Sequence, residues 1–281
     1  MATPAAPLRA RRPAVAPIAR SAGRLLAAGA LGVVGIACVV GLWALIAAVS
    51  DPSKFPGPAD VLDVVPEDWT NIPAVAYAAF QEGGISDALS FTAVNVVVTV
   101  ALGTVVGVPL GVLLARARTA RLVLEPPLLV LGTVPLLIVL PFITLWFGTA
   151  RWAQSGLVFI FTVLTVSIAA QSAAQTVSGH YANFAACLGA SRSRQLWTVV
   201  LPASIPTVLG AVRVALAASW GWQCIAELLG AESGIGRIIG VTGNILATTD
   251  LFATLLCLVV VAVVIDGIVA AVGAYVVRWK E

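Results

Sequence analysis

Charge is what this chain has least of. Of its 281 residues only 10% are Asp, Glu, Lys or Arg, against 60% apolar residues. A water-soluble domain carries about 25% charged residues. A water-facing surface over the whole chain is therefore excluded, and lipid must be the solvent for most of it. Histidine is rarer still: His180 stands alone, beside four cysteines, Cys38, Cys187, Cys224 and Cys257. No two cysteines are close in sequence and no CxxC occurs, so no Cys/His metal centre can be drawn. The cysteines read as buried structural residues and His180 as a solvated loop residue. A glycine-rich phosphate loop ending in Gly-Lys-Ser/Thr is missing, which removes that route to ATP hydrolysis by this chain. No His, Asp and Ser stand at catalytic spacing, so no catalytic residue is expected.

What the chain has instead is long apolar runs. A spanning helix needs about 20 mostly apolar residues. Six runs qualify, near 25–49, 88–114, 126–148, 153–176, 204–228 and 251–277. They are continuously apolar rather than alternating, which excludes a closed β-barrel. The expected fold class is an all-α integral membrane protein of about six transmembrane helices. The third and fourth runs are separated only by "GTAR", a tight helical hairpin. Several tryptophans lie near run ends (Trp43, Trp69, Trp146, Trp152, Trp279), which suits interfacial belts as well as ordinary packing. The run near the N-terminus is close to 25 residues. A signal-peptide core is only about 7–15 residues, so an uncleaved anchor is expected.

The few charges are sorted by side. Twelve of the 16 Lys and Arg residues fall in four places. These are the N-terminal tail (Arg9, Arg11, Arg12, Arg20, Arg24), the 115–125 loop (Arg116, Arg118, Arg121), Arg192 with Arg194, and the C-terminus (Arg278, Lys280). With six helices all four lie on one side, which the positive-inside rule makes cytoplasmic, both termini included. The other side holds Lys54, Arg151 and Arg237. The 50–87 loop adds Asp51, Asp60, Asp63, Glu67, Asp68, Glu82 and Asp87, as suits an outer loop. Within it a short helix is expected from Ala59, limited by Pro66 and Pro73. Three parts are thus expected. Residues 1–24 form a mobile basic cytoplasmic tail, 25–85 the first transmembrane helix with its outer loop, and 86–281 the helical core with a cytoplasmic loop at 183–202.

Charge inside the spans is scarcer. Arg213 lies nine residues into the fifth run, about 14 Å along the axis. Glu227 comes 14 residues later, almost on the same face at 100° per residue. Asp266 lies inside the sixth run. Such residues are costly in hydrocarbon and usually face a protein interior or a water-filled path. Two readings of Arg213 stand: it faces a pathway together with Trp220, Gln223 and Glu227, or it pairs with a carboxylate or carbonyl and holds helices together.

One stretch interrupts the apolar pattern: "NFAACLGASRSRQLWTVVLPASIP", Asn183 to Pro206. "NFAACL" is a short helical piece of small residues. Gly189 can end it in the left-handed conformation. Ser191 is placed to cap a second piece. Leu201-Pro202 and Ile205-Pro206 are expected to reset the chain direction before the fifth run. The stretch reads as a helix–turn–helix knuckle on the arginine-rich side, with small residues that admit a partner closely.

Its spacing resembles the signature loop of ABC importer permeases: Glu-Ala-Ala, three residues, Gly, nine residues, Ile, one residue, Leu-Pro. The matching positions are Asn183, Phe184, Ala185, Gly189, Val199, Leu201 and Pro202. Gly189 and Leu201-Pro202 keep the pattern, and Val199 is a mild change. Asn183 in place of glutamate removes a charge, and Phe184 in place of alanine adds bulk. "FPGPADVL", "LEPPLLVLGTVPLLIVLPFITLWFG" and "LPASIPTVLGAVRVALAASWGWQCIAELLGAESGIGRII" are similar to segments of the nitrate/sulfonate/taurine branch. The similarity runs from Phe55 to Trp279. "SFTAVN" departs from it, lacking an arginine that the branch often carries there.

The resemblance implies the type I ABC importer permease fold and a multi-pass subunit of the cell membrane. It implies partners: a second permease, identical or related, two cytoplasmic ATPase subunits, and an extracytoplasmic substrate-binding protein. It implies that ATP and Mg are used by the ATPase subunits and that no cofactor is bound here. It implies that Asn183, Phe184, Ala185, Ala186, Leu188, Gly189, Ala190, Ser191, Arg192, Leu201 and Pro202 contact the ATPase. Nucleic acid is not among the partners. A small anion such as a sulfonate, taurine or nitrate is the first expected solute and a heterocyclic solute the second. An ion-coupled secondary transporter would need internal repeats and coupling carboxylates in broken helices, and no convincing repeat is found.

Overall fold

The computed structural model describes residues 19–73, 75–76, 83–177, 181, 183–230 and 232–278. The first 18 residues with Arg9, Arg11 and Arg12, and also Glu82, His180, Trp279 and Lys280, lie outside the described residues. All described elements are helical. The chain divides into two compact units, Met1–Pro58 and Ala59–Glu281.

The first unit is built on α1 (Ala19–Val49). Residues Ala30–Val49 are long and apolar enough to cross a membrane, and none of that stretch is buried. The helix ends at Ser50, and Asp51 accepts hydrogen bonds from the Ser53 amide at 3.0 Å and hydroxyl at 2.8 Å. Trp43 Nε1 donates to the Pro56 carbonyl at 3.0 Å, which folds the segment after the helix back along it.

The second unit opens with α2 (Pro58–Asp68). Pro66 sits inside α2, but the helix lasts only two residues beyond it, because proline removes an interior hydrogen bond. The ends of the following connection are joined: the Ser86 amide donates to the Trp69 carbonyl, and that of Ile72 to the Gly83 carbonyl. Then come α3 (Ile85–Arg116), α4 (Arg118–Thr133), α5 (Leu136–Phe147) and α6 (Arg151–Val177). The segment from Asn183 contains α7 (Asn183–Cys187), α8 (Arg192–Gln195) and a π-helical turn, Leu196–Val200. It continues into α9 (Leu201–Leu228), then α10 (Ile235–Asn244) and α11 (Thr248–Val276).

Five helices are long and apolar enough to span, and a sixth span exists if α4 and α5 count as one. Here the structure corrects the sequence reading. The run at 126–148 is not a straight helix; its two halves meet at 100°. The break falls at Val134 and Pro135, both with extended backbone. Proline lacks an amide hydrogen and disfavours a helical residue before it, so the ladder stops there. A second correction concerns Pro202 and Pro206. They do not redirect the chain: Arg192 to Leu228 is one continuous helix of 37 residues. The π turn explains this. Leu201 N–H donates to the Leu196 carbonyl, five residues back, so Pro202, which has no N–H, falls where one ladder replaces the other. The expected hairpin at "GTAR" is present, with Gly148 at φ +70° closing α5 before α6 begins.

The centre of the fold is the seam between α3 and α6. Gly103, Gly107 and Gly111 of α3 lie four residues apart and so share one face. A Cβ added at Gly103 would lie 2.7 Å from Thr162 Cβ, and one at Gly111 2.3 Å from the Ser167 carbonyl oxygen. Ala170, Ala173 and Ala174 continue the small surface on α6 and are buried. In lipid, helices associate by close packing rather than by the hydrophobic effect, and small residues at this spacing allow it. Against this pair lies α9, through Leu140, Leu157 and Ala226 near one end and Ala174, Val177 and Val200 near the other.

Candidate functional site

The two ends of this bundle differ in chemistry. One end carries the knuckle. Its first helix closes in a Schellman motif: Ala190 N–H donates to the Ala185 carbonyl at 3.0 Å and Gly189 N–H to Ala186 at 2.9 Å. Gly189 has φ +81°, the left-handed value its position calls for. Ser191 then caps α8, its hydroxyl accepting from the Arg194 amide at 3.4 Å. Gln195 Nε2 closes the turn on the Ala190 carbonyl at 2.7 Å. Arg116, at the end of α3, donates to the Arg192 carbonyl at 3.0 Å. Two of the arginine-bearing segments picked out by the charge pattern are therefore neighbours in space.

The knuckle presents an apolar surface. Phe184 is 69% exposed, Leu188 75% and Trp197 68%. Ala186, Ala190, Ser191 and Arg192 are exposed or half-buried around them, and Leu201 and Pro202 are half-buried at the start of α9. The Asn183 side chain lies outside what the structure describes. Trp197 was not singled out in the sequence; its place six residues after the Ser191 cap was the available signal.

The opposite end is held by a buried carboxylate. Glu227, in the last turn of α9, is 1% exposed. Its two oxygens accept from the Thr92 hydroxyl at 3.0 and 2.8 Å, from Gln223 Nε2 at 2.9 Å and from the Gly236 amide at 3.0 Å. Thr92 in turn accepts from the Ile235 amide at 2.9 Å. One carboxylate thus ties α9, α3 and the first turn of α10. Gly234 makes this possible: its φ is +106°, and a Cβ there would sit 2.4 Å from the Glu227 carboxylate. Neither Thr92 nor the Gly234–Gly236 turn could be assigned to Glu227 from sequence, since 135 residues separate Thr92 from it.

The four residues grouped by the sequence reading separate here. Trp220, Gln223 and Glu227 are buried within the chain, at 5%, 0% and 1% exposure. Arg213 is exposed and forms a two-pronged ion pair with Asp266 of α11, 3.0 Å from Nε and 2.6 Å from Nη2. The helical face is nearly the same; the level differs. Between 205 and 214 no residue of α9 is buried, whereas from Ala215 onward one stripe is covered.

Near the Glu227 end a third group was missed by the sequence reading. Arg151, the first residue of α6, places its guanidinium 4.5 Å from the Phe91 ring centre and donates from Nε to Asn95 Oδ1. Also at this end is Asp68, 2% exposed, whose Oδ2 has no hydrogen-bond partner among the described residues. Burial, then the Asp250 and Glu67 carboxylates, push its carboxyl up to about 7.

Comparison with known proteins places this arrangement. The family model for the binding-protein-dependent transport system inner membrane component matches residues 107–279, which include the knuckle, Glu227 and α11. The chain belongs to that family. Among its relatives is the taurine transport system permease protein TauC of Escherichia coli (strain K12), 24% identical over 82% of each chain. Another is the nitrate import permease protein NrtB of Synechocystis, 26% identical over 88% of this chain and 89% of that one. The putative aliphatic sulfonates transport permease protein SsuC of Bacillus subtilis (strain 168) is 29% identical over 64% of this chain and 65% of its own. A solved structure of the MetNI methionine ABC transporter in inward-facing conformations has a similar fold. The TM-score is 0.58 at 21% identity, covering 69% of this chain and 94% of that one. This permease is thus a membrane-spanning subunit of an ABC importer, in the branch whose relatives carry nitrate, sulfonate and taurine names.

Proposed function

We propose that this permease moves a small oxyanion, delivered from outside by a binding protein, through a pathway shared with a second permease. Two cytoplasmic ATPase subunits bind the knuckle, and the ATP and Mg are theirs. What supports the docking is one observation: Phe184, Leu188 and Trp197 stand exposed on a segment whose turns are held by the Gly189–Ala186, Ala190–Ala185 and Gln195–Ala190 hydrogen bonds. Exposed aromatic and aliphatic groups on a rigid, hydrogen-bonded scaffold suit a protein partner. The neighbouring arginines, Arg116, Arg192 and Arg194, fit a cytoplasmic position of this end, with both termini on the same side. The oxyanion is supported by what the relatives are named for.

Arg213 and Asp266 stand on the loosely covered half of α9. A charged pair left against acyl chains is costly, so this face adjoins the second permease or the water-filled path. Trp220, Gln223 and Glu227 support the wall of that path from behind, as parts of the protomer's own core.

The test is Gly189→Val in the complex reconstituted with its ATPase and binding protein. No atom lies within 4 Å of a Cβ at Gly189, so the variant meets no clash and acts through the backbone alone. A β-branched residue in the left-handed region costs about 1–2 kcal/mol, enough to open the turn. Solute-stimulated ATP hydrolysis is expected to fall several-fold with assembly retained. Stimulation and uptake at wild-type level would rule out the knuckle as the coupling contact.

A further inference from the structure

We propose that Arg151 and Asn95 form an oxyanion-binding site at the outer mouth of the translocation pathway. The assignment rests on the transport reading above and adds the residues that meet the solute. Between α3 and α6 lies a cavity of about 740 Å³. Its polar lining comes from Asn95, Thr99, Arg151 and Ser155, and its apolar wall includes Trp152 and Phe159. Arg151 is the only charged residue in that lining. An adjoining cavity of about 520 Å³ shares Arg151 and adds Asp87, Glu232 and Arg237. There Arg237 is occupied in part, donating from Nη1 to the Glu232 carbonyl at 2.8 Å.

The geometry points the donors the same way. Arg151 spends Nε on Asn95 Oδ1, which fixes the amide orientation. Asn95 is 5% exposed, and its Nδ2 has no hydrogen-bond partner among the described residues. A buried amide without a partner is costly unless something accepts from it. The Phe91 ring, 4.5 Å from the guanidinium carbon, holds Arg151 in place, while the Nη groups have no protein acceptor among the described residues. The Arg151 guanidinium lines the cavity together with Asn95 and the Thr99 and Ser155 hydroxyls, which can also donate. These donors match the several acceptor oxygens of a planar or tetrahedral oxyanion. The apolar wall then suits a short alkyl substituent. The same surface turned toward acyl chains would carry an unpaired cation in hydrocarbon.

Position supports the assignment. Arg151 opens α6 at the Glu227 end, opposite the knuckle, where a delivered solute would enter. From Arg151 to Phe159 the cavity follows α6 for eight residues, about 12 Å into the span.

The test uses the full transporter with its ATPase and binding protein, in a background with the four native cysteines replaced. Ser155→Cys places a thiol in the cavity. An anionic thiosulfonate reagent is expected to modify it at least about tenfold faster, relative to a cationic reagent of the same size, than it does once Arg151→Gln is added. Ethanesulfonate or nitrate at millimolar concentration is expected to slow labelling in the Arg151 form only. Arg151→Lys, which keeps the charge and loses the fork, is expected to retain the reagent preference. Equal reagent ratios with and without Arg151, or no protection by either anion, would overturn the site. Uptake separates this from the broader reading. If wild type transports ethanesulfonate or nitrate and Arg151→Gln does so within twofold, the site fails and the transport reading stands. If wild type transports neither anion, the solute class fails, while the labelling ratio still decides whether the cavity attracts anions.

Discussion

Gly111→Ala tests the packing on which every other feature depends. The added Cβ would lie 2.3 Å from the Ser167 carbonyl oxygen, 2.7 Å from Ala170 Cβ and 2.9 Å from the Gln171 amide nitrogen. Ordinary contact begins near 3.4 Å, so α3 and α6 must part by about 1 Å at this level. Two of the three obstacles are backbone atoms and the third is a Cβ, so no side chain can swing aside. A gap of 0.5–1 Å forfeits about a quarter to a half of the dispersion well for each pair along the seam. Overpacking of this kind costs about 1–3 kcal/mol, and backbone obstacles put Gly111→Ala at the upper end. For a chain of this size, about 3 kcal/mol lowers Tm by on the order of 10 °C. The series should be graded. Gly103→Ala meets Thr162 Cβ at 2.7 Å, and Gly107→Ala meets Val166 Cβ at 3.0 Å and the Val163 carbonyl at 3.1 Å. Gly35→Ala and Gly267→Ala meet nothing within 4 Å and serve as controls. The assay is size-exclusion of detergent-solubilised permease after heating, read by a fused fluorophore. The expected order of Tm loss is Gly111, then Gly103, then Gly107, with the controls unchanged. A Gly111→Ala protein that melts with the controls would refute the close approach of α3 and α6.

Two further outcomes follow from the Glu227 end. Glu227→Ala leaves the Thr92 hydroxyl, Gln223 Nε2 and the Gly236 amide without their acceptor. At about 1–3 kcal/mol for each buried orphan, folded yield should drop sharply. In any surviving protein Ser233→Cys should label faster, and a loss of less than about 1 kcal/mol would contradict the network. Asp68 gives a pH dependence. Its folded pKa of about 7 exceeds the ordinary 3.8. Its contribution is therefore fully present below pH 3.8, declines as pH rises, and is lost above about 7. Asp68→Asn should then gain Tm over wild type at pH 8 by more than it does at pH 5; a gap that is constant with pH would remove the buried-acid assignment.

Much of the fold was legible because lipid imposes simple rules. Run length located the spans, and arginine placement grouped the loops that Arg116 and Arg192 now join. The knuckle was legible for a local reason: Gly189 and Ser191 act on backbone groups within five residues, so spacing alone describes them. The broken third run was not, because Val134-Pro135 interrupts a segment whose hydropathy never falls. Proline was also over-read at 202 and 206, where one π turn shifts the ladder by a residue and lets the helix pass. The glycine face of α3 falls in "LGTVVGVPLG", which was not picked out, and its spacing does not name a partner helix. The Glu227 tie and the Arg151–Asn95 pair were out of reach, since each joins residues 56 or more positions apart. Only a tertiary arrangement makes one polar residue in an apolar helix the partner of another.

The continuity of Arg192 to Leu228 bears directly on how the two ends communicate. Thirty-seven residues at 1.5 Å each make a rod of about 55 Å. Its first turns belong to the knuckle, and its last turn carries Glu227. A push on Leu188 or Trp197 therefore enters a helix that cannot shorten without breaking backbone hydrogen bonds. At the far end Glu227 is bonded to α3 through Thr92 and to α10 through Gly236, so displacement of the rod must carry the α10 turn with it. The looser stretch, 205–214, lies between these fixed ends and holds Arg213 against Asp266 of α11. At this level α9 meets α11 through that ion pair and through Leu209, which lies against the buried Gly273. On the proposed docking, force applied at the knuckle therefore reaches the Glu227 end through one unbroken helix.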